Sequence, residues 1–365
     1  MRPRLRARRA AAASAPRDPL HFAWLRGLQR RPRPRGAVSH PPGSAVGAAP
    51  RGITAARVLA PALRGVGLLT GWGDGLSGWE VPQPDGARGL VPVPTPALAG
   101  ERFRRATREC LLAVAAGRAA VADAGLDPAA LAGSRTGILY VSATGYAAAN
   151  RAFLEDEAST TLHFPYTSPS SVPAEVTIEF GVQGPYVNLM GGATAALQGL
   201  WYAARWLADG AADRVLLVAV EAVHEVRDLF ARARRLYRGP LVEGAAALLL
   251  EPGARGDLVW ASGVATGPGA EATVEDILEA VLGTARPDRV ASGASGAGPR
   301  SAEGRALARR GLSAAGRGLP GEPLALGPLA ALARARAGAP AGSWLVTATW
   351  KTDYGALLWP QSGAT

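Results

Sequence analysis

The sequence is poor in residues that commonly carry chemistry in proteins. Its 365 residues include one cysteine, Cys110, two methionines, four histidines and a single lysine, Lys351. One cysteine excludes an internal disulfide framework and is compatible with a reducing compartment, so we expect a cytoplasmic location. No run reaches the ~18–20 uninterrupted apolar residues of a membrane span. The sequence also lacks a P-loop, a Rossmann glycine fingerprint and metal-ligand spacing, so we expect no cofactor, metal or membrane contact.

The formal net charge of +11 is concentrated at one end of the chain. Residues 1–50 hold eleven arginines against the single acid Asp18, a net +10, which leaves +1 for all the rest. These residues mix Arg, Pro, Ala and Gly without apolar periodicity, which predicts a disordered tail over residues 1–55. The nine tryptophans are not interleaved with basic residues, so we expect no nucleic-acid partner.

Apolar periodicity predicts alternating helices and strands beyond the tail. A helix is predicted over 101–124, with Cys110 on its buried face and Gly125 ending it. Nearly continuous apolar runs at 136–143, 214–222 and 243–252 predict strands that are covered on both faces. Further strands are predicted at 257–265, 288–292, 344–350 and 356–359, and further helices at 273–285, 301–316 and 327–337.

The most informative segment runs from Gly184 to Glu221. Its pattern predicts a short strand at 185–190, a tight turn at Gly191-Gly192, a helix, and a buried strand that ends on an acid. The helix is apolar on every side, so it must lie inside a large core. The two glycines allow the backbone to turn sharply into that helix.

This order of Gly-Pro, strand, tight turn, buried helix and strand resembles the nucleophile segment of β-ketoacyl synthases, members of the thiolase superfamily. The Thr-Gly-x-x-x-Val-Ser-Ala strand at 136–143 and the Glu-Gly-Ala-Ala strand at 243–246 are similar to other motifs of that family. The resemblance implies an α/β, thiolase-like, five-layer α-β-α-β-α fold made of two related halves. It places an N-terminal half at 56–254 and a shortened C-terminal half at 255–365.

The same resemblance assigns positions to the family's catalytic residues. The family's cysteine falls on Ala193, and its first histidine falls on Ser292, in the stretch SGASGAGPRSAE. The second histidine has no clean counterpart, and Gly318-Leu319 and Gly327-Pro328 are alternatives. No histidine follows His224 in the sequence. The resemblance therefore implies a family scaffold without a catalytic residue at these positions.

Family members without the nucleophile, called chain-length factors, pair with an active ketosynthase in type II polyketide systems and shape the tunnel for the growing chain. The shortened architecture also leaves room for the smaller factors of polyene-type pathways. By this resemblance, Met190, Thr194, Trp201 and Trp206 border the tunnel or the subunit interface. The strand at 185–190 is expected to pair across that interface.

An acyl carrier protein is the second partner that the resemblance implies. Carrier proteins of this kind are acidic, and Arg232, Arg234 and Arg235 form a basic patch that would attract one. A carrier-binding scaffold that has no ketosynthase partner is an open alternative to the chain-length factor.

An acyltransferase or thioesterase with a hydroxyl nucleophile is the other open alternative. Thr194 follows Ala193, but a threonine hydroxyl attacks a thioester only with a neighbouring base. Glu221, His163 and His224 are the candidate bases. For Glu221 we expect a structural role instead, with a charged partner, because a buried carboxylate must be compensated.

Overall fold

The computed structural model describes residues 52–74, 89–155, 163–232, 240–253, 256–293, 297–313, 321–338 and 342–361. Residues 1–51 of the predicted tail lie outside these ranges. In chain order, the first elements are β1 (Ile53–Leu59), β2 (Ala62–Thr70), β3 (Gly73–Asp74), β4 (Leu90–Val91), α1 (Arg108–Asp123), β5 (Thr136–Ser142), α2 (Ala147–Glu155), α3 (Ser171–Phe180), β6 (Tyr186–Met190), α4 (Ala193–Ala208) and β7 (Arg214–Glu221). The later elements are α5 (Arg227–Arg232), β8 (Leu241–Val242), β9 (Gly244–Glu251), β10 (Asp257–Val264), α6 (Ala270–Leu282), β11 (Arg289–Gly293), α7 (Ala297–Arg309), α8 (Leu326–Gly338), β12 (Gly342–Trp350) and β13 (Asp353–Gln361).

Two large mixed sheets repeat one strand pattern. The first has the order β3-β2-β9-β7-β5-β6 and the second has the order β1-β10-β13-β12-β11. In the first sheet, β2 and β9 are antiparallel, β9 and β7 are antiparallel, and β7 and β5 are parallel. The strands β10, β13, β12 and β11 are joined in the same three ways. This repetition confirms that the fold consists of two related halves.

The sheets are separated and flanked by helices. In β5, Leu139 and Val141 belong to the core between the sheets, whereas Ile138 and Tyr140 belong to the core under α1 and α3. Helices α4 and α8 supply the layer between the sheets, and α6 and α7 cover the outer face of the second sheet. The predicted five-layer α-β-α-β-α architecture is therefore confirmed, and β5, β7 and β9 are buried on both faces as their sequences predict.

Strand β1 joins the second sheet although it precedes the first sheet in sequence. It pairs antiparallel with β10 over its whole length, from Ile53 opposite Gly263 to Leu59 opposite Asp257. The predicted limit between tail and N-terminal half, at residue 55, falls inside this strand. The division into halves at 254/255 stays a prediction. β1 precedes that boundary in sequence but pairs with β10, which follows it. The sequence pattern did not predict β1. It is an edge strand of mainly half-buried and exposed residues, and the formation of such a strand depends on the strand that it pairs with.

Local capping divides the segment that was predicted as one helix over 101–124. Residues 101–105 form a short 3-10 turn, and α1 starts only after Thr107, whose side chain accepts a hydrogen bond from the backbone N–H of Cys110. This is the arrangement of a helix N-cap, which satisfies a donor that the helix itself leaves free. Cys110 is fully buried, as the periodicity predicted. Helix α2, by contrast, lies in a segment for which the sequence analysis predicted neither a helix nor a strand.

Glycines in β2 allow α1 to lie directly against the first sheet. A Cβ at Gly67 would overlap the backbone carbonyl of Ala116, and a Cβ at Gly65 would overlap that of Ala120. We therefore expect Gly67→Ala to lower the free energy of unfolding by about 1–3 kcal/mol, as overpacking of a core does. Gly304→Ala is the control, because Gly304 lies within α7 with no atom near its Cβ position. That substitution should stabilise by about 0.5–1 kcal/mol. Urea denaturation measures both, and equal effects would contradict the close packing.

Candidate functional site

The start of α4 lies at the end of an edge strand. β6 runs parallel to β5 and ends at Met190, and α4 begins at Ala193 after the Gly191-Gly192 turn. Ala193, the predicted nucleophile position, is only 2% exposed and its side chain is part of the core between the sheets. A methyl group at this position offers neither a nucleophile nor a hydrogen bond.

Gly192 is required for a different reason from the one that the sequence suggested. Its backbone has φ −88° and ψ −143°, which is not the left-handed conformation that favours glycine. A Cβ at residue 192 would instead overlap the indole of Trp350, which comes from the end of β12. The glycine therefore permits close approach of an aromatic ring to the start of α4.

A groove of about 650 Å³ runs beside the start of α4. One wall comes from the end of β6 and the first turns of α4, and the other comes from β1, β10 and the β12–β13 turn. The predicted residues Met190 and Thr194 both line it. Other lining residues include Thr54, Gln198, Trp260 and Val264. The groove is thus a junction between the two halves of the fold.

The other two predicted tunnel residues lie elsewhere. Trp201 does not line the groove; it stacks on the lining residue Trp260, with ring centroids 5.7 Å apart and planes inclined by 30°. Trp206 packs against β5, where a Cβ at Gly137 would come within 2.9 Å of its ring. Their helical spacing placed both residues on α4, but the packing of α4 between two sheets determines which side of the helix meets the groove.

Ser292 does not line the groove either. It lies on β11, and its Oγ donates to Oε2 of Glu303 at 2.5 Å. Glu303 is buried and its Oε1 accepts a hydrogen bond from the hydroxyl of Tyr354 at 3.0 Å. The carboxylate thus links β11, α7 and β13, a contact between segments that sequence spacing cannot reveal.

Glu221, at the end of β7, is a buried acid, and none of the described residues supplies the charged partner that the sequence analysis expected. Its carboxylate accepts hydrogen bonds from the backbone N–H groups of Ala143 at 2.8 Å, Thr144 at 3.0 Å and Ala325 at 3.1 Å. The hydroxyl of Thr144 donates a fourth, at 2.9 Å. Burial raises the pKa of Glu221 to about 7, against the effect of these hydrogen bonds, which lower it. Neutral hydrogen-bond donors therefore compensate the burial of this carboxylate. Through them, Glu221 joins the loop after β5 to the residue before α8.

Glu243, just before β9, has a charged partner that sequence reasoning missed. Its two oxygens accept hydrogen bonds from the guanidinium of Arg108 at 2.8 and 2.6 Å, and also from the N–H groups of Val223 and His224. Burial alone would raise the pKa of Glu243, but the hydrogen bonds and charge of Arg108 hold it below its usual range. The sequence signal that could have indicated this pairing is the position of Glu243, an acid directly before the apolar strand β9.

Neither described histidine contributes to the groove, and most of the predicted arginine patch lies outside the described residues. His163 and His224 are exposed, and neither lines the groove. Arg232 is the last residue of α5. Arg234 and Arg235, together with the alternative histidine position Gly318-Leu319, lie outside the described residues. The other alternative, Gly327-Pro328, lies in the first turn of α8.

The described ranges contain neither a metal-binding cluster nor a membrane-spanning helix. No group of three or more His, Cys, Asp or Glu side chains there is arranged to hold a metal ion. Likewise, no helix within those ranges has both the length and the apolar character that crossing a membrane requires.

Comparison with known sequences finds relatives among polyketide ketosynthases. Residues 96–238 match the family described as "Beta-ketoacyl synthase, N-terminal domain". The granaticin polyketide putative beta-ketoacyl synthase 1 of Streptomyces violaceoruber is 35% identical over 130 residues, which are 32% of this chain and 31% of the relative. The tetracenomycin polyketide synthase ketoacyl synthase alpha subunit of Streptomyces glaucescens is 33% identical over 132 residues, 33% of this chain and 30% of the relative. The matched segments thus span about a third of these relatives.

Solved structures match over most of the chain. The ishigamide ketosynthase/chain length factor gives a TM-score of 0.68 at 19% identity, covering 83% of this chain and all of that one. A type II polyketide acyl-carrier protein in complex with its ketosynthase, bound to the hexaketide, gives 0.67 at 14% identity, covering 84% and 100%. The chain therefore has the thiolase-like ketosynthase fold, and its residues 96–238 are similar to the N-terminal domain of β-ketoacyl synthases.

Proposed function

We propose that this chain is a non-catalytic, ketosynthase-like subunit, a chain-length factor, that pairs with an active ketosynthase and encloses the growing acyl chain in the groove beside α4. The observation that carries the proposal is the buried methyl group of Ala193 at the start of α4, beside a groove that joins the two halves. A site that binds an acyl chain without a nucleophile can shape the chain but cannot hold it as a thioester.

The hydroxyl of Thr194 is the nearest substitute for a nucleophile, and its surroundings argue against that role. Thr194 lines the groove, but neither described histidine does. Glu221 is held by four hydrogen-bond donors from two loops, which leaves it committed to structure. An acyltransferase or thioesterase reaction would need a base that can take the hydroxyl proton.

The edge of the first sheet supports pairing with a second ketosynthase-like subunit. β6 is the last strand of that sheet, and none of the described residues pairs with its outer side. Tyr186 and Met190 at its two ends are 41% and 48% exposed. An unpaired strand edge with exposed apolar side chains favours addition of a strand from a partner. A heterodimer through β6 would carry Met190 and the groove to the subunit boundary.

An acyl carrier protein is the second partner in this proposal. The ketosynthase structure with a similar fold that was solved with its acyl-carrier protein supports such a partner. The proposed site of attraction includes Arg232, Arg234 and Arg235, and its test is the salt dependence of carrier binding, because charge-steered association weakens as ionic strength rises.

Reconstitution with an intact Cys-His-His ketosynthase and its carrier protein tests the function. The wild-type pair should elongate malonyl units, and this chain alone should form no carbon–carbon bond. Thr194→Trp should shorten the main product, because each methylene that no longer fits lowers binding roughly tenfold or more. Ile178→Trp is the control, since Ile178 is exposed on α3 and does not line the groove.

Three results would contradict the proposal. They are turnover by the isolated chain, a stoichiometric covalent acyl adduct on Thr194 detected by mass spectrometry, and unchanged product length in the Thr194→Trp pair. The adduct would favour the acyltransferase alternative. A stable homodimer that binds carrier protein without recruiting a ketosynthase would favour the scaffold alternative.

A further inference from the structure

The indole of Trp350 covers the start of α4. Gly192 precedes the helix, and a Cβ there would overlap three atoms of the indole, Cε3, Cδ2 and Cζ3. Gly191, Thr194 and Ala195 line the groove, but Gly192 and Ala193 between them do not. Trp350 itself lines the groove. The ring therefore forms the wall of the groove at the point where the helix begins.

Two features hold the indole in this position. It packs against a small apolar cluster that is separate from the main core and is contributed by Leu90, Val223, Leu241 and Leu324. Trp350 is also the last residue of β12, directly before a two-residue turn. It is paired with Asp353, at the end of a continuous antiparallel register between β12 and β13. So short a turn leaves the ring little freedom to swing away while the hairpin stays paired.

The turn itself is strained. Lys351 has φ 55°, a left-handed conformation that costs a residue with a side chain about 1 kcal/mol or more relative to glycine. Its ammonium lies 5.6 Å from the centre of the Trp350 ring, a distance suited to a cation–π attraction. Backbone strain of this kind persists where surrounding contacts determine the conformation, and it concentrates at functional sites.

We propose that Trp350 is a fixed plug that separates binding from access: an acyl chain can occupy the groove, but the plug denies it contact with residue 193 at the start of α4. Trp350 is then the specificity-determining residue of the groove, because it sets where a bound chain ends. The acyl chain in this inference rests on the proposed function, whereas access to residue 193 can be measured in the isolated chain, without a partner subunit.

A reporter cysteine tests the plug directly. The native thiol provides a silent background, because Cys110 is fully buried and burial raises its pKa to about 12. We would compare alkylation by iodoacetamide, read by mass spectrometry, in Ala193→Cys, in Ala193→Cys combined with Trp350→Ala, and in Met190→Cys. Met190 also lines the groove and is 48% exposed, so its thiol reports the open part of the groove.

With Trp350 in place, the thiol at 193 should react roughly 100-fold more slowly than the thiol at 190, since it must wait for local opening. Trp350→Ala should raise the rate at 193 tenfold or more, and leave the rate at 190 within about twofold. If Trp350→Ala fails to fold, Trp350→Phe takes its place, because it keeps a ring and so protects the hairpin. Its alkylation rate at 193 should lie between the rate with Trp350 intact and the tenfold higher rate expected for Trp350→Ala.

Equal rates at 193 and 190 with Trp350 intact would overturn the plug, as would a rate at 193 that neither Trp350 variant changes. Neither result would touch the proposed function, which is judged by product length in the reconstituted pair. Conversely, a thiol at 193 that reacts faster only when Trp350 is replaced would support the plug even where reconstitution fails to change product length.

Discussion

Replacing Arg108 by methionine is expected to lower the free energy of unfolding by about 3–5 kcal/mol, since it leaves the carboxylate of Glu243 buried without its cation. The side chain of Glu243 is completely buried, and that of Arg108 is only 16% exposed. Arg108 also donates to the carbonyl of Val93 at 2.5 Å, so the loss reaches the segment before α1. Urea denaturation at neutral pH measures the effect.

The exposed pair Arg135 and Asp213 is the matched control. Its oxygen–nitrogen distance is also 2.6 Å, but the two side chains are 56% and 60% exposed. Arg135→Met should therefore destabilise the protein much less than Arg108→Met, because solvent screens a surface pair. Losses of similar size at the two sites would show that burial does not strengthen the Arg108–Glu243 pair.

The effect of Arg108→Met should itself depend on pH. The pKa of Glu243 is lowered in the folded protein, so its pairing contributes stability above the unfolded value of 4.5 and loses that contribution as pH falls through the folded pKa. The difference between wild type and variant should shrink in acid. A difference that is independent of pH would point to lost packing of the arginine stem instead.

Glu221 should give the opposite pH dependence. The pKa of its carboxyl is about 7 in the folded protein against 4.5 as the ordinary value, so the folded state binds a proton that the unfolded state has released. The contribution of this group to stability is therefore greatest below pH 4.5, falls as pH rises towards 7, and is level above that. A shift of this size corresponds to roughly 3 kcal/mol.

The comparison with Glu221→Gln isolates this contribution, because glutamine does not ionise. Between pH 4.5 and 7, wild type should lose roughly 3 kcal/mol relative to the variant, on top of a pH-independent offset from the mismatched amide. Glu271→Gln supplies a control of opposite sign, since arginines 305 and 309 lower the pKa of Glu271 to about 2. A wild-type minus Glu221→Gln difference that is flat with pH would show that Glu221 ionises normally.

Much of the fold could be predicted because its central elements are recorded in local patterns. The continuous apolar runs of β5, β7 and β9 can be satisfied only by burial on both faces, and α4, apolar on every side, only by a place between layers. The edge strand β1 escaped prediction for the converse reason. Its half-exposed pattern acquires meaning only beside β10.

The candidate site was only partly predictable. Met190 and Thr194 flank the β6–α4 turn, so their sequence position alone brought them to the groove. Trp201 and Trp206 share their helix but not their surroundings, because the sheets on either side of α4 divide its faces among different neighbours. Sequence position thus located the turn beside the groove, but it could not show which side chains of α4 line the groove.

By itself, the sequence determined the layered architecture, the placement of Ala193 at the start of a buried helix and the absence of histidine after His224. Tertiary structure alone decided that Trp350 would cover Gly192, that Arg108 would compensate Glu243 across 135 residues, and that Glu221 would hold Ala325 across 104. The reason is physical. Periodicity expresses how each residue relates to its neighbours along the chain, whereas contacts between distant residues arise only when packed layers bring their elements together.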